Sequence, residues 1–202
     1  VVAILALTIG WIYLPSPSTT PSPQPSIAVL PLENLSGDES QDYFSDGLTQ
    51  DITTDLSKFS DLFVVASNSA FTYKDKPSKA QDIGTALGVR YLLEGTVQKT
   101  PDRLRINAQL INATTGNHVW AERYDRELTD VFGVQDDIAH SVVQALAPRL
   151  APRAPAAPRR PPPDFQAYDA YLQGRAAWSR RTRESIAQAI ALFEQAIARE
   201  PG

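Results

Sequence analysis

Proline divides this 202-residue chain into pieces. Twelve of its sixteen prolines fall in two stretches, residues 15–25 and 148–163. Such segments lack the apolar periodicity of packed elements and favour extended polyproline II, a semi-rigid spacer. They leave an apolar start (1–14), a body (26–147) and a tail (164–202). The body has about 120 residues, enough for a core of its own. It is expected to fold alone, whereas an isolated helical pair in the tail is expected to be marginal, because it lacks stacked neighbours.

The net charge of −4 hides an asymmetry. The body carries ten Lys/Arg against eighteen Asp/Glu, the second linker four arginines and no acid, and the tail five of each. An acidic body repels phosphates, which argues against nucleic-acid binding by this segment. Arg149, Arg153, Arg159 and Arg160 of the linker could meet an anionic surface or simply keep a spacer solvated. Cysteine is absent, which removes disulfides and thiolate metal sites. Methionine is absent too, so the chain reads as an excerpt of a longer protein.

Residues 1–14 carry no charge and place Trp11 and Tyr13 at their carboxyl end. A membrane-spanning helix needs roughly 20 apolar residues, with aromatic side chains at the interface. The run reads as the end of such a helix. A signal-peptide core or a buried element are the alternatives.

In the body, residues 27–32 form a short apolar run expected to be a buried strand, with Pro31 near its end. Residues 41–59 place Phe44, Leu48, Ile52, Leu56 and Phe59 on one helical face. Gly47, inside that helix, suggests close packing or a break. A second buried strand is expected over 62–66, then a helix over 79–87 capped by Ser78 and stopped by Gly88. The period then drops to two: 90–99, 103–112 and 117–126 read as strands of a meander. Thr129 or Asp130 can cap a last helix, 131–146, with Val131, Gln135, Ile138, Val142 and Leu146 in one stripe. The order β-α-β-α-β-β-β-α makes the body α+β, a mixed-sheet α/β domain with helices on one main face.

No catalytic, cofactor or metal residue is assigned. The acids Asp38, Glu39, Asp42, Asp46, Asp51 and Asp55 lack the spacing and closing glutamate of a calcium loop. His118 and His140 have no clustered partner for zinc. No nucleophile elbow, phosphate loop or dinucleotide fingerprint occurs. Trp120, Glu122 and Tyr124 point one way on the last strand and form a candidate protein-interaction surface. The alternative is that the two rings pack under a helix while nearby charges pair across strands.

One set of phrases runs through the body: Ser26-Ile-Ala-Val-Leu-Pro-Leu-Glu-Asn-Leu-Ser-Gly-Asp38, Tyr43-Phe-Ser-Asp-Gly-Leu48, Gly88-Val-Arg-Tyr-Leu-Leu-Glu-Gly-Thr-Val97, Arg105-Ile-Asn-Ala-Gln-Leu-Ile-Asn-Ala-Thr-Thr-Gly116 and His118-Val-Trp-Ala-Glu-Arg-Tyr-Asp125. The body resembles the TolB amino-terminal-like domain. In the tail, Tyr168-Asp-Ala-Tyr-Leu-Gln-Gly174 with Ala189, Phe193, Ala196 and Pro201 resembles the first unit of a tetratricopeptide (TPR) array. A plain amphipathic hairpin is the alternative. In either case Ala189, Phe193 and Ala196 are expected to be packing residues.

The resemblance implies a membrane-anchored bacterial signalling protein with a class III adenylate/guanylate cyclase or winged-helix domain before the membrane helix. The covered chain is then expected to be a non-catalytic protein-interaction or sensory module, anchored through 1–14 in the inner membrane by a single pass, with 26–202 periplasmic. Its protein partners, met through the TolB-like domain and the TPR array, are not named by the sequence. It would be the extension of a cyclase or of a membrane-bound DNA-binding regulator. A small-ligand-binding domain is the remaining reading.

Overall fold

The computed structural model describes residues 24–146 and 164–201. The expected membrane helix over 1–14 and the second linker lie outside the described residues, as does all but the end of the first. Among the described residues no helix is long and apolar enough to cross a membrane.

The order is β1 (Ser26–Val29), β2 (Glu33–Asn34), α1 (Asp42–Ser57), β3 (Phe63–Val64), α2 (Ser67–Ala70), α3 (Ala80–Leu87), β4 (Tyr91–Lys99), β5 (Arg103–Asn112), β6 (Asn117–Glu127), α4 (Val131–Leu146), α5 (Phe165–Ser179) and α6 (Arg183–Arg199). The sheet runs β3-β1-β4-β5-β6, with β2 also on β4. β1 lies parallel between β3 and β4, and β4, β5 and β6 form an antiparallel meander. This is an α+β domain with a mixed sheet and a carboxyl-terminal helix pair.

Alternation sets the layers. Val97, Leu104, Ile106 and Leu110 face α1 and α4 and share one core with Phe44, Leu48, Ile138 and Val142. A smaller cluster on the opposite face joins Ala28, Leu30, Leu92 and Ala113 to Ala70, Ile83 and Val89. Beyond it that face is polar, with Arg105 and Asp125 exposed enough to pair in solvent.

Four expectations need correction. The first strand does not run through to residue 32. It stops at Val29 and resumes at Glu33 as β2, on the same flank of β4. Pro31 has no N–H to donate, so the ladder is interrupted there. Leu30 N–H still reaches the Leu93 carbonyl (2.8 Å) and Leu35 N–H the Val97 carbonyl (2.7 Å). Between them the buried Leu32 N–H donates to Thr49 Oγ1 of α1 at 3.0 Å, so a helix side chain replaces a strand partner.

The strand expected over 62–66 shrinks to two residues, and Phe63 is 54 % exposed. Among the described residues β3 is a sheet edge with β1 as its strand neighbour, so the apolar run covers one side rather than filling a core. The short helix α2, which the sequence reading omitted, follows directly. Ser78 does not cap α3: the helix opens at Ala80 after Lys79, with no side-chain cap. Gly88, at φ +68°, ends it in the left-handed region as expected.

α1 runs unbroken through Gly47, and Phe59 lies two residues beyond its end. A Cβ at Gly47 would stand 2.5 Å from Leu172 Cδ2 of α5, so the glycine marks a close helix crossing. In the tail, Asp164 caps α5 by accepting from Gln166 N–H and Ala167 N–H. Thr182 and Ser185 close a reciprocal cap on α6. Ala189 is fully buried, and Phe193 lies against Gly174, where an added Cβ would come within 2.6 Å of Phe193 Cε1.

Candidate functional site

α5 is built into the body. Phe165, Tyr168 and Leu172 recur at helical spacing and form its inward stripe. Tyr168 and Leu172 belong to the main core together with Phe44 and Leu48 of α1. The Tyr168 ring meets Phe132 of α4 edge-on at 4.7 Å and Phe44 at 6.5 Å. The side chains flanking this stripe are polar, and each finds a partner across the seam.

On one flank stands Asp169. Its Oδ1 accepts from Tyr43 Oη of α1 and from Lys99 Nζ at the end of β4, both at 2.8 Å. Gln173 donates to Oδ2 at 2.7 Å. The Lys99 ammonium also sits 4.6 Å from the centre of the Phe44 ring, so an aromatic face shares the solvation of its charge. Burial first, then the hydrogen bond to Asp169, pushes the Tyr43 phenol above its ordinary range, and it stays a donor.

On the other flank, Tyr168 Oη donates to Asp51 Oδ2 at 2.6 Å and accepts from Gln135 Nε2 at 2.9 Å. Arg175 approaches Asp51 at 3.9 Å. Burial raises the Asp51 carboxyl above 3.8, and the Tyr168 hydrogen bond works against that rise. Burial and the Asp51 charge together hold the Tyr168 phenol well above 10. The seam is therefore an apolar stripe between two charge-assisted networks, one centred on Asp169 and one on Asp51. Such an arrangement fixes the angle of α5 on the body. Beside it opens a cleft of about 470 Å³, lined by Tyr43, Gly47, Gln50, Arg175, Trp178 and Phe193.

Replacing Tyr168 by Phe removes a donor from Asp51 and an acceptor from Gln135, at a cost of about 1–3 kcal/mol. The loss should grow with pH. An acid whose folded pKa is raised binds more protons in the native state, so stability falls as pH rises through that range. Without Tyr168 Oη the Asp51 carboxyl rises further. Thermal melts of the wild type and of Tyr168→Phe should lie closer together at pH 3.5 than at pH 7, and equal gaps at both would count against the Asp51 link.

The three residues proposed from the sequence as an interaction surface stand together on the helix-facing side of β6, opposite Leu110, Ala108 and Ile106. Tyr124 is only 3 % exposed, Trp120 is half-buried against the core, and Glu122 is open to solvent. Tyr124 Oη donates to Glu122 Oε2 at 3.1 Å and lies 3.3 Å from Ser141 Oγ. Burial first raises its phenol to about 12. On the other face, Asp125 pairs with Arg105 and Arg103, which hold its carboxyl at about 2.

The acid-rich run is dispersed over separate tasks. Asp38 caps a 3₁₀ turn, Asp42 accepts from Asn34, Asp46 pairs with Lys74 and Asp55 with Lys58. His140 Nδ1 lies 2.7 Å from the Asp136 carbonyl oxygen, and His118 is exposed. Among the described residues no group of three or more His, Cys, Asp or Glu is placed to hold a metal.

The sequence reading gave Tyr43, Lys99 and Asp169 no such role, placed Gln135 only in the stripe of α4, and treated Asp51 only as one of a run. Spacing carries no trace of contacts made between residues 126 positions apart, as Tyr43 and Asp169 are. Gly47 was the available signal.

No family model matches the chain. Over 193 residues, 93% of this chain, it is 46% identical to a protein of Rhizobium meliloti (strain 1021) that carries the provisional name adenylate cyclase 3. It spans 33% of that protein's length. Among solved structures, TolB from Acinetobacter baumannii overlays with a TM-score of 0.46 at 20% identity, covering 62% of this chain and 29% of that one. Lipoprotein GNA1162 from Neisseria meningitidis overlays with a TM-score of 0.45 at 17% identity, covering 61% and 99%.

Proposed function

We propose that this chain is the non-catalytic interaction and sensing portion of a membrane-anchored bacterial signalling protein whose remaining length includes a nucleotide cyclase. Its α/β body resembles a TolB amino-terminal-like domain in its sequence phrases. The helix pair opens a TPR-type array that binds protein partners. Residues 1–14 end the single membrane helix, and the segment from 26 onward is periplasmic.

The 46% identity to one third of a protein named as an adenylate cyclase carries this reading. It supports a cyclase in the remainder over a DNA-binding domain. The seam supports the division of labour within the chain. Its most buried ionisable groups satisfy one another, as in a fixed joint that passes a displacement of the body on to the array.

Cyclic-nucleotide synthesis in a cyclase-deficient host tests the reading. The intact protein should restore cyclic AMP or cyclic GMP, and residues 1–202 alone should not. Synthesis that tracks the purified 202-residue chain would overturn the non-catalytic assignment. An intact protein with no cyclase activity, in the membrane and with a partner supplied, would reject the cyclase. Alkaline phosphatase fused after Leu150 of the intact protein should be active. Its inactivity beside a fluorescent cytosolic-type fusion would reverse the orientation.

A further inference from the structure

Among the described residues β6 is the outermost strand of the sheet, eleven residues long, and β5 is its strand neighbour. A long edge presents a row of backbone donors and acceptors on which another strand can be laid. At the end of the β5–β6 ladder Leu128 N–H donates to the Asp102 carbonyl at 3.0 Å. Alternation back along the strand then turns the backbone groups of Ala121, Arg123, Asp125 and Glu127 outward.

The side chains along this edge carry a self-complementary code. Glu122-Arg123-Tyr124-Asp125-Arg126 reads minus, plus, neutral, minus, plus. Reversing the segment about Tyr124 inverts every sign. A second copy laid antiparallel and centred on Tyr124 therefore sets Glu122 against Arg126 of the partner subunit and Arg123 against Asp125 of the partner subunit. The twofold repeats both pairs. Opposite charges on directly facing residues stabilise a strand pair and like charges destabilise it. The neighbouring registers fail on that ground: centring on Glu122, Arg123 or Asp125 places each of those residues against its own copy. An edge charged only to repel other strands has no need of this sign inversion.

We infer that β6 is the self-association edge of this protein, pairing with β6 of a second copy in the antiparallel register centred on Tyr124, so that the two sheets become one. The inference holds whatever the rest of the intact protein does. Glu122 and Arg126 supply most of the recognition. Both are exposed, Glu122 accepts from the Tyr124 hydroxyl, and Arg126 has a loose 3.7 Å contact with Asp130 and a 3.4 Å contact with the Asp125 carbonyl to give up. Asp125 contributes less, because Arg103 and Arg105 already occupy its two oxygens.

Sedimentation velocity on the full 202-residue chain across the micromolar range is the test. The wild type should dimerise. Glu122→Arg and Arg126→Glu should each be monomeric, since each sets like charges opposite one another. An equimolar mixture of the two should recover the dimer, because both cross-pairs are then opposite in sign. If either reversal fails to fold, Glu122→Gln combined with Arg126→Gln should still weaken the dimer about tenfold or more, about 1.4 kcal/mol. A wild type that stays monomeric overturns the inference. So does a dimer indifferent to both reversals, or folded reversals that do not recover the dimer on mixing.

Discussion

A chain ending at residue 146 should still melt cooperatively, but about 10–20 °C below one that continues through α6. The body has its own sheet and two helices over it, so the fold survives the truncation. What it loses is the cover over α1 and α4. Tyr168 and Leu172, 8 % and 1 % exposed, sit in the same core as Phe44, Leu48 and Val134. Each such side chain contributes about 1.5–3 kcal/mol by burial. Their removal also strips the phenol from Asp51 and the carboxylate from Lys99, leaving a charge of each sign with fewer partners. Differential scanning calorimetry of the two chains decides the matter. Coincident melting temperatures would mean that the seam is not a stabilising contact. Leu172→Ala in the longer chain should reproduce part of the drop, about 2–5 kcal/mol, without removing either network.

This seam is where reading from sequence stopped. The meander was legible to within a residue, because β5 alternates along most of its length and a one-residue slip would turn its apolar side chains to water. The stripes of α1 and α4 were equally legible, with Phe44, Leu48, Ile52 and Leu56 on one and Val131, Gln135, Ile138, Val142 and Leu146 on the other, all buried. Period alone put Trp120, Glu122 and Tyr124 on one face of β6 but did not say which face. Their pairing with Leu110, Ala108 and Ile106 says it is the core side, and that partnership could have been drawn from the hairpin once both strands were placed. The two short strands were harder. β2 and β3 have two residues each, and in so short a run there is no periodicity to detect. Asp169, Tyr43 and Lys99 come from three distant elements, and their convergence is a property of the fold rather than of any local pattern.

The largest single-residue effect is expected at Gly95, in the middle of β4. It stands where the sheet passes from β1 to β2, between Leu93, paired with Val29, and Thr96, paired with Glu33. A Cβ added there would lie 2.0 Å from the Asn107 carbonyl oxygen and 3.2 Å from Ala108 Cα, both backbone atoms of β5. Backbone cannot rotate aside as a side-chain tip can, so β4 and β5 must separate. Val97, Ile106 and Leu110, all at 0 % exposure, line the core beside that joint. Overpacking a core by one methyl group commonly costs about 1–3 kcal/mol when side chains can yield. With a carbonyl as the obstacle, Gly95→Ala should fall at or beyond the top of that range, and Gly95→Val should leave little folded protein at 37 °C. At Gly47, by contrast, the atoms nearest an added methyl belong to the Leu172 side chain rather than to backbone, and alanine regains about 1 kcal/mol of helix propensity. Chemical denaturation of Gly95→Ala beside Gly47→Ala should therefore show a large loss for the first and a small change for the second. Comparable midpoints for the two would mean that the β4–β5 crossing has slack that its backbone distances do not suggest.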